Sequence, residues 1–252
     1  MPVRTAPGML VPQRPSTVPG MDTTAWGADA SAPWLLIIDP QRIFADPGSD
    51  WASPFWDGAW ARIRELAAQV GPERTLVSRW LPTADRETSW GDYFAAWPFA
   101  DVPATDPLYD LVDGAAELTG HPTIDEPTFG KWGPQLVARL GAEATRAPLL
   151  IAGVSTDCCV IATVLAAADA GARLTVVTDA SAASDEDNGA AALHTMSLFG
   201  PQVTLASTAE VLARATGTEK TDRAAGTTGT TDSAVPTGPE GTAGVAAPGE
   251  RT

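Results

Sequence analysis

The chain has 252 residues, with 31 Asp+Glu against 16 Lys+Arg, a net charge of −15 and 44% hydrophobic residues, a composition that fits one globular domain with tails. No cluster of Lys or Arg stands ready to neutralise phosphates, so nucleic acid and anionic membrane surfaces are both disfavoured as partners. The only cysteines, Cys158 and Cys159, are adjacent; there is no disulfide framework, and a reducing cytoplasm is the expected compartment.

In chain order, residues 1–31 are rich in Pro, Thr, Ala and Gly without an apolar period, which predicts a flexible leader. Pro and Arg interrupt its apolar residues, so it lacks the core of a secretory signal, and Met21 offers an alternative start. Apolar runs then predict strands at 34–39, 74–78, 122–124, 148–154, 173–179 and 202–205. Helices are expected at 57–70, 134–141, 156–170, 187–199 and 207–215, with Gly71, Gly141, Gly171 and Gly200 just past four of their ends as left-handed terminators. From 216 to 252 the Thr/Gly/Ala/Pro composition predicts a disordered tail. No run is long and apolar enough to span a bilayer.

Strand then helix, repeated, predicts a parallel sheet covered on both faces. The expected fold is therefore α/β, a three-layer α/β/α sandwich with a mostly parallel, about six-stranded Rossmann-like sheet over residues 32–215. The stretch from Leu81 to Gly120 does not fit the alternation and carries Trp90, Tyr93, Phe94, Trp97 and Phe99. Long loops of this kind shape sites rather than cores.

Every parallel strand delivers its last residue to one edge, where ligands bind. Asp39 ends the first run, Lys131 follows the third after a short loop, and Cys158 and Cys159 open the helix after PLLIAGV, so all reach that edge. A cysteine in a first helical turn meets the positive end of the macrodipole, and a nearby ammonium favours thiolate further, so a lowered thiol pKa is expected. The Asp39 carboxylate is placed to take the thiol proton and return it to a leaving nitrogen, while backbone N–H groups of the VSTDCC turn face the carbonyl oxygen under attack. Spacing alone leaves both thiols eligible. Neighbouring helical positions diverge by about 100°, so one faces the crevice and the other is structural.

The segments IIDPQRIF, FGKWG and IAGVSTDCCVIAT resemble the three signature segments of the isochorismatase-like cysteine hydrolases, a family of amide hydrolases and their relatives, over about residues 33–215. The resemblance implies Cys159, the cysteine before Val160, as nucleophile, Asp39 as general acid/base and Lys131 as its assistant. It implies an oxyanion hole from the backbone N–H groups of Ser155 and Cys159, a cis Val154–Ser155 peptide, and a homo-oligomer. Gln41, Phe44 and Trp132 are candidate pocket residues, and Arg79, just past the second strand, is a candidate clamp for a substrate carboxylate. Each has a rival reading as core or solvated residue.

Nicotinamidases of this family carry an Asp/His metal site after the second strand, whereas SRWLPTADRETSWGDYF has no histidine. His121 and His194 are expected to be structural or exposed. No metal and no cofactor are therefore expected. True isochorismatases cleave an enol ether and commonly lack the cysteine, so Cys159 points to a C–N bond of a small amide, lactam or ureido compound, cut through a thioester. The alternatives are an enol-ether hydrolase that uses Asp39 alone and a non-catalytic small-molecule binder.

Overall fold

The computed structural model describes residues 32–215; the expected leader (1–31) and tail (216–252) lie outside the described residues. Six strands form one sheet: β1 (Trp34–Ile38), β2 (Thr75–Trp80), β3 (Ile124–Glu126), β4 (Pro148–Val154), β5 (Arg173–Ala182) and β6 (Val203–Ala206), in the order β3-β2-β1-β4-β5-β6. Every pairing is parallel, so the sheet is all-parallel rather than mostly so. Around it lie α1 (Arg42–Ala45), α2 (Trp56–Val70), α3 (Ser89–Ala96), α4 (Pro134–Leu140), α5 (Ile161–Asp169), α6 (Glu186–Ser197) and α7 (Thr208–Ala215).

The apolar runs are continuous because successive side chains of one strand enter two different cores. Leu35, Ile37, Leu150, Ala152 and Val177 pack with Ile63 and Leu66 of α2 and Val211 of α7. Leu36, Ile38, Leu149, Ile151 and Val176 pack with Leu136 of α4, Val164 of α5 and Met196 of α6. Helices therefore cover both faces, giving the expected three layers.

Several details differ from the pattern. β2 runs on to Trp80 and β3 starts only at Ile124, because their pairing begins at Ser78 opposite Ile124; Pro122 has no N–H to donate to a ladder. Helix α3 lies inside the stretch expected to be irregular, opened by Thr88, whose side chain accepts from the Trp90 N–H. Gly71, Gly141 and Gly171 have positive φ as expected, but Gly200 does not; it precedes a cis Pro201.

The strand order reverses between β1 and β4. In such a sheet the helices on either side of the reversal diverge and leave a crevice at the carboxyl ends of the two strands. Asp39 follows β1 there, and the Cys158–Cys159 turn follows β4.

Candidate active site

Asp39 leaves β1 with φ of 49°, a left-handed conformation that an aspartate tolerates better than most residues. Ser78 of β2 holds it twice: the Asp39 N–H donates to Ser78 Oγ (3.2 Å), and the Ser78 hydroxyl donates to Asp39 Oδ1 (2.7 Å). Oδ2 faces the Lys131 ammonium at 3.1 Å, and it makes no hydrogen bond of good geometry. Both side chains are fully buried.

Lys131 sits in the loop between β3 and α4. Its Nζ donates to the Thr128 carbonyl (2.8 Å), and its N–H donates to Thr163 Oγ1 (2.9 Å). The Thr163 hydroxyl in turn donates to the Cys159 carbonyl (2.7 Å). One side chain of α5 thus ties the lysine loop to the cysteine turn.

That turn, Thr156–Val160, is wider than an α-helix. The N–H groups of Cys158 and Val160 both donate to the Ser155 carbonyl (3.0 Å each), the second being the five-residue spacing of a π-turn, a feature frequent at functional sites. The Val154–Ser155 peptide is cis, as the resemblance implies. Cys159 is buried and Cys158 half-buried, both as free thiols.

Burial pushes the Asp39 carboxyl above the ordinary carboxylate range, while Lys131, Ser78 and the Cys159 thiol pull it back. The Cys159 thiol is pushed well up by the neighbouring Cys158, by burial and by the Asp39 carboxylate, with Lys131 opposing. The same contact pulls the Cys158 thiol down, so the expected lowering falls on Cys158 and not on Cys159. The ammonium expected to favour thiolate is shared with Asp39 at 3.1 Å, which weakens its pull on the thiol.

Two of the pocket candidates have partners in the scaffold. Arg79 does not present a free fork: Nε and Nη2 donate to Oδ1 and Oδ2 of Asp125 at 2.9 and 2.6 Å, its register partner on β3. Gln41 is fully spent on the scaffold, donating to the carbonyls of Trp80 and Tyr109 and accepting from the Trp80 N–H. Phe44 is a core residue stacked on Trp51, with ring centroids 6.2 Å apart. Trp132 lies half-buried against the second core.

Residues that sequence reasoning did not single out are Ser78, Thr128 and Thr163, ordinary small residues whose role appears only with their partners. An aromatic wall was legible only as a loop rich in rings. Trp90 and Tyr93 of α3 pack on Phe129, two residues before Lys131, at 5.2 and 5.5 Å. Burial raises the Tyr93 hydroxyl, and the two thiols add to the shift. A groove of about 630 Å³ lies to one side, between the starts of α2 and α6, and reaches the turn at Thr156. Among the described residues no group of three or more His, Cys, Asp or Glu forms a metal-ligand set, and no helix is long and apolar enough to cross a membrane.

The isochorismatase domain model matches residues 33–209, spanning Asp39, Lys131 and Cys159. The chain belongs to the isochorismatase family. Solved structures with the same fold include a cysteine hydrolase from Pseudomonas syringae pv. phaseolicola 1448A (TM-score 0.61, 17% identity, 78% of this chain and 99% of that one). An isochorismatase family protein from Desulfovibrio vulgaris subsp. vulgaris str. Hildenborough gives a TM-score of 0.60 at 22% identity, over 73% of this chain and 99% of that one. PnC1 from L. infantum, solved in complex with nicotinate, gives 0.59 at 16% identity, over 74% and 98%. No curated protein matches the chain. At these identities the solved structures show the fold alone, and the chemistry rests on the site itself.

Proposed function

We propose that this isochorismatase-family hydrolase cleaves a C–N bond of a small amide, lactam or ureido compound through a thioester on Cys159. The observation that carries the reading is the buried Asp39–Lys131 ion pair beside a buried thiol. A buried charge pair is expensive and persists where it does work. Of the two thiols, Cys159 is the buried one, and its carbonyl is the one that Thr163 ties to the Lys131 loop.

In this reading Asp39 Oδ2, whose lone pairs lack a well-aligned donor, takes the Cys159 proton as sulfur attacks the carbonyl carbon. The N–H groups of Ser155 and Cys159 hold the resulting oxyanion. As the C–N bond breaks, Asp39 returns the proton to the leaving nitrogen. Water then attacks the thioester and Asp39 accepts its proton; as the C–S bond breaks, Asp39 returns that proton to sulfur, which regenerates the thiol and the ionised carboxylate. Lys131 keeps Asp39 ionised at the start of each cycle. No residue is assigned to a metal or a cofactor. We further propose a cytoplasmic homo-oligomer with neither nucleic acid nor membrane as partner, in keeping with the net charge of −15.

The test is ammonia or amine release across an amide, lactam and ureide panel, with the adduct trapped on Cys159 read by mass. Cys159→Ala and Asp39→Asn should each abolish turnover, and retained turnover in Cys159→Ala ends the proposal. One observation favours a second reading: burial raises Asp39 toward its protonated form, which suits an acid that protonates an enol ether. In that case Asp39→Asn is inactive and Cys159→Ala is not. Two thiols that both resist alkylation at neutral pH would instead favour a non-catalytic binder.

A further inference from the structure

Asp157 stands two residues before Cys159 in the same turn, and the chemistry above does not use it. Its Oδ1 accepts from the Ser155 hydroxyl (2.8 Å) and from the Ser184 N–H (2.9 Å), and its Oδ2 accepts from the Ser184 hydroxyl (2.6 Å). Three hydrogen bonds to one carboxylate are charge-assisted and roughly twice as strong as neutral ones. Against burial, which acts the other way, the Ser184 and Ser155 bonds hold the Asp157 carboxyl below its ordinary range, so it is ionised at neutral pH.

The far end of this link is itself fixed. Ala183 accepts from the Ser53 hydroxyl near the start of α2 (2.6 Å). Asp185 caps α6 by accepting from the Asn188 N–H (2.7 Å), and the Asn188 amide donates to Ser184 Oγ (3.1 Å). A polar chain therefore runs from α2 through the β5–α6 loop to Asp157 and ends on Ser155. Ser155 lies outside the β4 ladder and the helix, so its side chain is a handle by which its N–H can be aimed. Oxyanion donors must stand about 2.7–3.1 Å from the developing charge, and a misplacement near 1 Å costs on the order of 100-fold.

We propose that Asp157 is a positioning residue: through the Ser155 hydroxyl it locks the oxyanion-binding turn against the β5–α6 loop, so that the turn's N–H groups are aimed before substrate arrives. The proposal rests on the amide-hydrolase reading. It separates Asp157 from Asp39, which handles the proton, and from Lys131, which holds the charge.

The experiment compares two reactions of Cys159 in the full chain. p-Nitrophenyl acetate acylates the thiol: the S–C bond forms, an oxyanion develops and p-nitrophenolate leaves. Iodoacetamide alkylates it: sulfur displaces iodide at a saturated carbon and no oxyanion forms, while Asp39 takes the proton in both. In Asp157→Ala we expect acylation to fall about 10- to 100-fold and alkylation to stay within about twofold. Asp157→Asn, which retains an acceptor for Ser155 and can donate to Ser184 Oγ, should recover most of the loss. Ser184→Ala should show a smaller fall with the same split, and it decides the matter if Asp157→Ala does not fold. An equal fall in both reactions, or no fall in acylation, overturns the positioning role while leaving the hydrolase reading intact. Wild-type release of p-nitrophenolate no faster than in Cys159→Ala overturns that reading and this proposal with it.

Discussion

Lys131 is a fully buried ammonium whose neighbours are the Asp39 carboxylate and the Thr128 carbonyl. Replacing it by Met keeps the volume but leaves Asp39 buried without its counter-charge, which costs about 3–5 kcal/mol when one partner of a buried pair is removed. The sign on the carboxyl follows directly. Burial already raises Asp39 and Lys131 lowers it, so in Lys131→Met it rises further. The acid limb of kcat/KM, which for wild type should lie above the ordinary aspartate value of about 3.9, should move to still higher pH, with turnover at neutral pH reduced. A pH profile of both proteins checks this, and coincident acid limbs would remove Lys131 from the role assigned to it. At this scale the three site residues were legible because a parallel sheet sends strand ends to one edge and the motif segments name positions on it. What could not be read was who else claims each side chain. Arg79 looks free until β3 brings Asp125 alongside, and Gln41 looks like a pocket residue until Trp80 and Tyr109 take its amide. The two thiols were no easier to read apart, because their contact with each other, together with burial, raises Cys159 while it lowers Cys158.

Between elements, the site depends on two close joints. Thr163 bridges the Lys131 N–H and the Cys159 carbonyl from a fully buried position. Thr163→Val preserves the shape and leaves both backbone groups without this partner, at a cost of about 1–3 kcal/mol; thermal denaturation should show a fall of roughly 2–4 °C per kcal/mol in a domain of this size. An unchanged melting temperature would mean that the backbone groups find other partners. The second joint is β1 against β4. Gly153 has φ of 124°, and a Cβ there would stand 2.1 Å from the Ile38 carbonyl oxygen, in the backbone just before Asp39. Neither partner is a flexible side chain that can move aside. Gly153→Ala should cost about 3 kcal/mol or more from strained backbone and overlap together, visible as an early urea transition or loss of soluble protein. The elements themselves were mostly legible, because a sheet covered on both faces yields unbroken apolar runs that are hard to mistake. Helix α3 was not, since it is a short helix of eight residues whose exposed face (Ser89, Asp92, Ala95, Ala96) is half alanine and too brief to set a period; Thr88 as cap with Asp92 in the first turn was the signal available. The late start of β3 follows from a register that only the partner strand defines.

For the whole molecule the excess of acid is the governing quantity. Many of the described arginines already have carboxylate partners, as in Arg42–Asp113, Arg62–Glu65, Arg74–Glu143, Arg79–Asp125 and Arg86–Asp101, so with a net charge of −15 much of the acid has no basic partner to oppose it. Mutual repulsion then opposes compactness at neutral pH. Salt at about 0.1 M shortens the reach of these charges to about 10 Å, and the melting temperature at pH 7 should rise by about 2–4 °C, near 1 kcal/mol. This benefit should shrink as the pH approaches the pI of about 4.3, where the repulsion itself disappears. Below that a second effect of opposite sign takes over. Against burial, the Arg79 fork holds Asp125 below the ordinary carboxylate range, and the serines do the same for Asp157. A depressed carboxyl contributes stability above its unfolded value of about 3.9 and loses it as the pH falls through the folded value, which lies lower. Stability should therefore fall away below about pH 4, and added salt should not restore it, because protonation rather than repulsion removes the bonds. Melting curves from pH 7 to pH 3 at low and moderate salt separate the two effects. A salt-independent melting temperature at pH 7 would show that surface repulsion does not limit this fold, and acid loss reversed by salt would place the weakness in net charge instead of in Asp125 and Asp157.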